Sequence, residues 1–126
     1  MGVTVKGKQA LACRLGGLSD VTYPAMKYLA YGSDTATAFA KAQNALVGTE
    51  HDRQLATVAA ATTTDTNDTC QISYSFSVAS AVTSGEIGVF DAGAAGNMGA
   101  RTLLSSSKTL SAGSTYAVVY KIIVSA

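Results

Sequence analysis

The sequence predicts an all-β fold, an antiparallel β-sandwich of immunoglobulin-like or jelly-roll-like type with a short N-terminal helix or arm. Three observations carry this. Cys70, Ile72, Tyr74, Phe76 and Val78 alternate with Gln71, Ser73, Ser75 and Ser77, a period of two that suits a strand with one apolar and one small polar face. Clusters of Gly, Asn, Asp and Ser recur between short apolar segments, as they do where strands follow one another through turns. Strand patterns do not alternate with helical ones, which argues against a parallel sheet built from βαβ units.

Taken in order, residues 5–18 carry the one helical signal. Gln9 to Leu15 are mostly good helix formers, Leu11, Leu15 and Leu18 recur at helical spacing, and Gly16-Gly17 supplies a stop. Residues 1–6 read as an extended arm ahead of it. From Pro24 the period changes to two: Met26, Tyr28 and Ala30 on one side, Lys27, Leu29 and Tyr31 on the other, ended by Gly32-Ser33-Asp34. The chain thus divides into an N-terminal arm and short helix, 1–23, and a sandwich, 24–126.

Residues 35–53 read as an irregular connection with a brief helical turn through Phe39, Ala42, Leu46 and Val47. This connection ends in the densest charge cluster, Glu50-His51-Asp52-Arg53. A strand over residues 55–64 and the Asp65-Thr66-Asn67-Asp68 turn lead into the alternating segment. Ile87, Val89 and Phe90 mark the next strand. A glycine-rich turn, 93–99, precedes a return strand over 100–104 and a loop over 105–114. In the last strand Tyr116, Val118, Tyr120, Ile122 and Val124 share one face, with Val119 and Ile123 on the other. Two apolar faces predict a central strand or one used at a subunit interface.

Composition bounds the function. The 126 residues make one domain, 48% hydrophobic, only 13% charged, with net charge +1. Disordered chains are charge-rich and apolar-poor, so disorder is excluded. No basic stripe suggests a nucleic-acid partner, and no apolar run reaches the 18 or so residues of a membrane helix. Ala, Ser and Thr together make up about 40% of the chain. A surface of small neutral residues suits close contact with other protein, because little charge must be desolvated. Two cysteines, Cys13 and Cys70, are too few and too distant for a disulfide framework or a metal knuckle. Both are expected to be small buried hydrophobes in a protein made in a reducing cytoplasm.

The search for chemistry yields no catalytic residue, no cofactor site and no metal site. His51 is the single histidine, flanked by Glu50 and Asp52; a solvated or interface role outweighs acid–base work. Asp65, Asn67 and Asp68 resemble part of a calcium loop but lack its glycine and distal glutamate, so a turn held by Asx hydrogen bonds is expected. Gly93, Gly96 and Gly99 lack the Lys-Ser or Lys-Thr of a phosphate loop. What remains is a structural or binding module. Two segments are candidates for partner contact. Val3, Val5, Lys6 and Lys8 form an arm able to add a strand to a neighbour's sheet, and its removal should leave the sandwich's thermal midpoint unchanged. Glu50, His51, Asp52 and Arg53 concentrate the charges able to fix orientation.

Several stretches together resemble a group of small tailed-bacteriophage structural proteins. These are Lys27-Tyr28-Leu29-Ala30-Tyr31-Gly32-Ser33-Asp34-Thr35, Asn44-Ala45-Leu46-Val47-Gly48-Thr49-Glu50 and Thr66-Asn67-Asp68-Thr69-Cys70-Gln71-Ile72. Gly85-Glu86-Ile87-Gly88-Val89-Phe90-Asp91-Ala92, Gly96-Asn97-Met98-Gly99-Ala100-Arg101 and Leu110-Ser111-Ala112-Gly113-Ser114-Thr115-Tyr116 continue the likeness. The resemblance implies a virion protein without a catalytic motif, synthesised in the bacterial host cytoplasm. It implies first a capsid decoration (cement) protein on the capsid surface. Such a protein would bind the major capsid protein, stabilise joints between its subunits and associate with itself as a homotrimer. The alternative is a tail, baseplate or fibre component with receptor contact.

Overall fold

The computed structural model describes residues 2–15 and 25–124 of the chain. Two antiparallel sheets face each other. One has five strands in the order β1-β7-β6-β2-β3 and the other three in the order β4-β5-β8. The strands are β1 (Gly2–Val3), β2 (Tyr28–Gly32), β3 (Glu50–Leu55), β4 (Thr57–Ala61), β5 (Thr69–Ser77), β6 (Val82–Phe90), β7 (Met98–Leu110) and β8 (Thr115–Ile123), with one helix, α1 (Val5–Leu15). The predicted all-β sandwich with a short N-terminal helix is the observed fold.

The alternation in β5 does the work the sequence assigns to it. Ile72, Phe76 and Val78 are buried, Tyr74 is half-buried, and Ser75 and Ser77 are exposed. Between the sheets these residues meet Leu29 and Tyr31 of β2, Ile87 and Val89 of β6, and Tyr116, Val118 and Tyr120 of β8. Tyr31 sets its ring edge-on to Phe76 and Tyr116, at 4.9 and 5.2 Å between centroids, the arrangement favoured by the ring quadrupole. Burial pushes the Tyr31 hydroxyl above its ordinary pKa, with Asp52 and Tyr116 adding to the shift.

A second, smaller core lies on the opposite face of the five-stranded sheet. Ala30, Phe90 and Met98 are buried there, with Tyr28 and Leu46 packed against them. The cover is the connection 33–49. Ser33 donates to the Thr49 carbonyl where it leaves and returns, and Val5 donates to the Lys41 carbonyl at the far side. Phe39 lies so close over Gly2 that a Cβ there would meet its ring. This connection therefore spans the back of the sheet from β2 to the β1 edge.

Several local expectations are corrected. The extended arm ends after Val3, and Val5 and Lys6 already belong to α1. Thr4 explains the early start: its hydroxyl accepts from the Gly7 N–H at 3.0 Å as an N-cap. No helix forms in residues 33–49. Glu50 to Arg53 stand in strand β3, paired with β2, rather than in a loop. The loop over 105–114 is mostly strand: β7 continues to Leu110, and Val82, Thr83 and Ser84 pair with Leu110, Thr109 and Lys108 beyond a register shift. The last strand is not central: among the described residues β8 is an edge strand, with Val119 57% exposed and Ile123 40% exposed, which leaves the alternative of use at a subunit interface. Cys70 is exposed rather than buried; partial desolvation still pushes its thiol pKa up. The helix stop at Gly16-Gly17, the Pro24 strand entry and the Cys13 side chain lie outside the described residues.

Candidate functional site

The two predicted contact segments stand at opposite edges of the five-stranded sheet, β1 at one and β3 at the other. Gly2 and Val3 pair with Arg101 and Ala100 of the chain's own β7. Thr4 is buried; its N–H donates to the Gly99 carbonyl and its hydroxyl to the Met98 carbonyl. The strand-adding capacity of this segment is thus used within the chain. Val5 is exposed at the start of α1, and Lys6 and Lys8 are exposed on it.

At the other edge, each member of the charged cluster has a partner. The Arg53 guanidinium donates to both Glu50 carboxylate oxygens, at 2.7 and 3.1 Å, and to the carbonyls of Ala92 and Ala95, at 3.1 and 2.7 Å. Its carbon lies 3.6 Å from the centre of the Phe90 ring, a cation–π contact. Asp52 accepts from the Arg53 N–H and the Gln54 amide. His51 lies against the Tyr31 ring, with Nε2 3.1 Å from the Thr83 carbonyl. A carbonyl only accepts, so Nε2 carries the proton. The cluster clamps β3 to the turn at residues 91–97. That turn is itself held by Asp91, which accepts from the Asn97 N–H and side-chain amide.

The most heavily engaged charges lie outside both predicted contact segments. Glu86 and Arg101 are both fully buried and bonded Nε to Oε1 at 2.9 Å. Glu86 also accepts from the backbone N–H groups of Asp34, Val47 and Gly48. Arg101 donates to Asp34 and to the Thr37 carbonyl. This network fastens the connection 33–49 to the sheet. Burial opposes ionisation of Asp34. Donation from Thr37 and the Arg101 charge outweigh it and hold the Asp34 pKa below its ordinary value. The signal available in the sequence was a charge of each sign inside otherwise apolar or small-residue strand segments. Such charges are rarely buried unless paired.

The Asp65–Asp68 region resolves as a self-contained turn. The Asp68 carboxylate accepts from the N–H groups of Thr63, Thr64 and Asp65 and from the Thr69 hydroxyl. These bonds hold its pKa well below the usual carboxylate range. Among the described residues no group of three or more His, Cys, Asp and Glu side chains is placed to hold a metal ion.

What the arrangement does chemically is to hold backbone in place, while the three-stranded sheet presents a nearly neutral surface: Lys121 is the only charged residue in β4, β5 and β8. Fold and side-chain networks together define a β-sandwich module of two antiparallel sheets. The family model described as Podophage GP4 fiber I protein gp80 matches residues 5–123, and the chain belongs to that family. It is therefore a structural protein of the tailed-bacteriophage virion. No curated protein matches the chain.

Proposed function

We propose that this protein is a fibre component of a tailed-phage virion, with a structural rather than a catalytic role. The observation that carries the reading is the family match over residues 5–123, whose description is of a fibre protein. It supports the tail or fibre alternative over the capsid decoration reading, and with it removes the main reason to seek the major capsid protein as partner. The side-chain networks fit the same role. A fibre module transmits load and presents a surface, so its turns and long connections must keep their shape. Here Glu86, Arg101, Arg53 and Asp68 are spent on that.

Imaging of particles assembled with and without the protein tests the proposal. Density should be lost from fibres, and an antibody against the protein should label fibres on the complete particle. Loss of density over the capsid surface, with fibres intact, would return the reading to decoration.

A further inference from the structure

We propose that the free edge of β8 is an interface between two copies of this chain, paired antiparallel about a two-fold axis at Val119. The inference does not rest on where in the virion the protein sits.

The edges of the two sheets are not alike. β3 carries Glu50, Asp52 and Arg53. β1 is two residues long and is followed directly by α1, which packs on β7. β4 has five residues. Charge, shortness and cover are the usual protections of an edge against pairing with another chain. β8 is neither short nor covered, and its one charge, Lys121, stands near its end. It is nine residues long, without proline, and pairs with β5 in an unbroken register from Thr115–Ser77 to Ile123–Thr69. Among the described residues no strand pairs with its other edge. A cleft of about 440 Å³ opens along it, between β8 and the Leu104 to Lys108 stretch of β7.

The strand is complementary to itself. With Val119 opposite Val119, every one of its nine residues finds a partner. Tyr116 meets Ile122 and Val118 meets Tyr120 on the buried face; Ala117 meets Lys121 and Thr115 meets Ile123 on the exposed face. Aromatic–aliphatic pairs of this kind stabilise neighbouring strands. The single charge, Lys121, lies against a small side chain over which its stem can extend. Centring the pair on Lys121 instead would oppose two like charges, which is unfavourable. Parallel pairing of the same edge turns one sheet over and sets the buried row of one copy beside the exposed row of the other. Facing thus excludes the parallel arrangement, and full overlap of the nine residues sets the register at Val119; a second copy satisfies both.

Sedimentation of the full-length protein over a range of concentrations, with two variants, tests this. The wild type should form dimers. Val119→Lys sets two lysines opposite each other on an already exposed position and should weaken dimerisation at least about tenfold, with thermal unfolding of the dilute protein unchanged. Ala117→Glu sets a carboxylate opposite each Lys121 and should tighten it, an effect removed by adding Lys121→Ala. A wild type that stays monomeric throughout, or a dimer or trimer whose affinity neither substitution alters, would overturn the proposal. Should Val119→Lys impair folding, the Ala117→Glu and Lys121→Ala pair decides alone.

Discussion

Glu86 and Arg101 meet diagonally across the β6–β7 hairpin with both side chains fully buried and their nearest atoms 2.9 Å apart. Placing two charges in the interior costs desolvation, which the pair alone need not repay. Here the remaining capacity is used as well: Glu86 takes three backbone N–H groups from the connection 33–49, and Arg101 reaches Asp34 and the Thr37 carbonyl. Arg101→Met leaves a buried carboxylate without its counter-charge and should cost about 3–5 kcal/mol in denaturant unfolding. Pairing it with Glu86→Leu should not restore stability. The three N–H groups would then lose their acceptor, and each unsatisfied donor carries its own penalty. Recovery in the double variant would show that the connection does not depend on this anchor.

Phe76 is fully buried, in edge contact with Tyr31 and Tyr74, and its neighbour Ser75 points outward. Phe76→Ala should destabilise by about 3–5 kcal/mol, the loss of a large core side chain plus the cavity it leaves. Ser75→Ala should stay within about 0.5 kcal/mol, as exposed substitutions do. Chemical denaturation of both variants checks the face assignment directly.

That assignment was legible because the two faces of β5 differ in kind, Phe against Ser. Where legibility failed, the deciding contacts were distant in sequence. Arg53 is in a strand because β3 pairs with β2, and its guanidinium finds Ala92, Ala95 and Phe90, about forty residues on; locally it reads as one charge among four. The second half of β7 gives no apolar signal, since Ser105 to Thr109 are all exposed. It is a strand because Val82, Thr83 and Ser84 supply backbone partners. Glu86 and Arg101 could be suspected as isolated charges in their strands, but their pairing follows from hairpin register, which periodicity does not encode. The contact segments Val3 to Lys8 and Glu50 to Arg53 stand out in the sequence by charge and position. The structure shows that Val3 and Thr4, and most of the charges on β3, are committed within the chain.

The N-terminal segment is part of the sandwich's packing. A Cβ on Gly7 would lie 2.0 Å from the Gly99 carbonyl oxygen, so α1 rests against β7 at a distance only glycine allows. Gly7→Ala must move the helix and should cost about 1–3 kcal/mol, in the range of overpacked cores. Deleting residues 1–6 removes both the pairing of Gly2 and Val3 with β7 and the Thr4 cap, and should lower the thermal midpoint. This reverses the expectation that the segment is dispensable for folding. An unchanged midpoint in both variants would mean that α1 contributes nothing to the stability of the sheet it covers.

Acid should loosen the protein at two identifiable places. Asp34 and Asp68 both have folded-state pKa values below the ordinary carboxylate, Asp34 through Thr37 donors and Arg101 in spite of burial, Asp68 through the N–H groups of Asp65, Thr63 and Thr64. A depressed folded value means that the unfolded chain takes up protons first. Their stabilisation is therefore fully present above the unfolded value of about 3.9 and is lost as pH falls from there through the folded values. Unfolding midpoints in denaturant should be flat with respect to these groups near neutrality and should fall below about pH 4. In Asp68→Asn the side chain keeps one acceptor oxygen for the turn but no longer titrates, so stability at neutral pH should drop and the acid slope should become shallower. A slope identical to wild type in that variant would assign the acid sensitivity to other carboxylates.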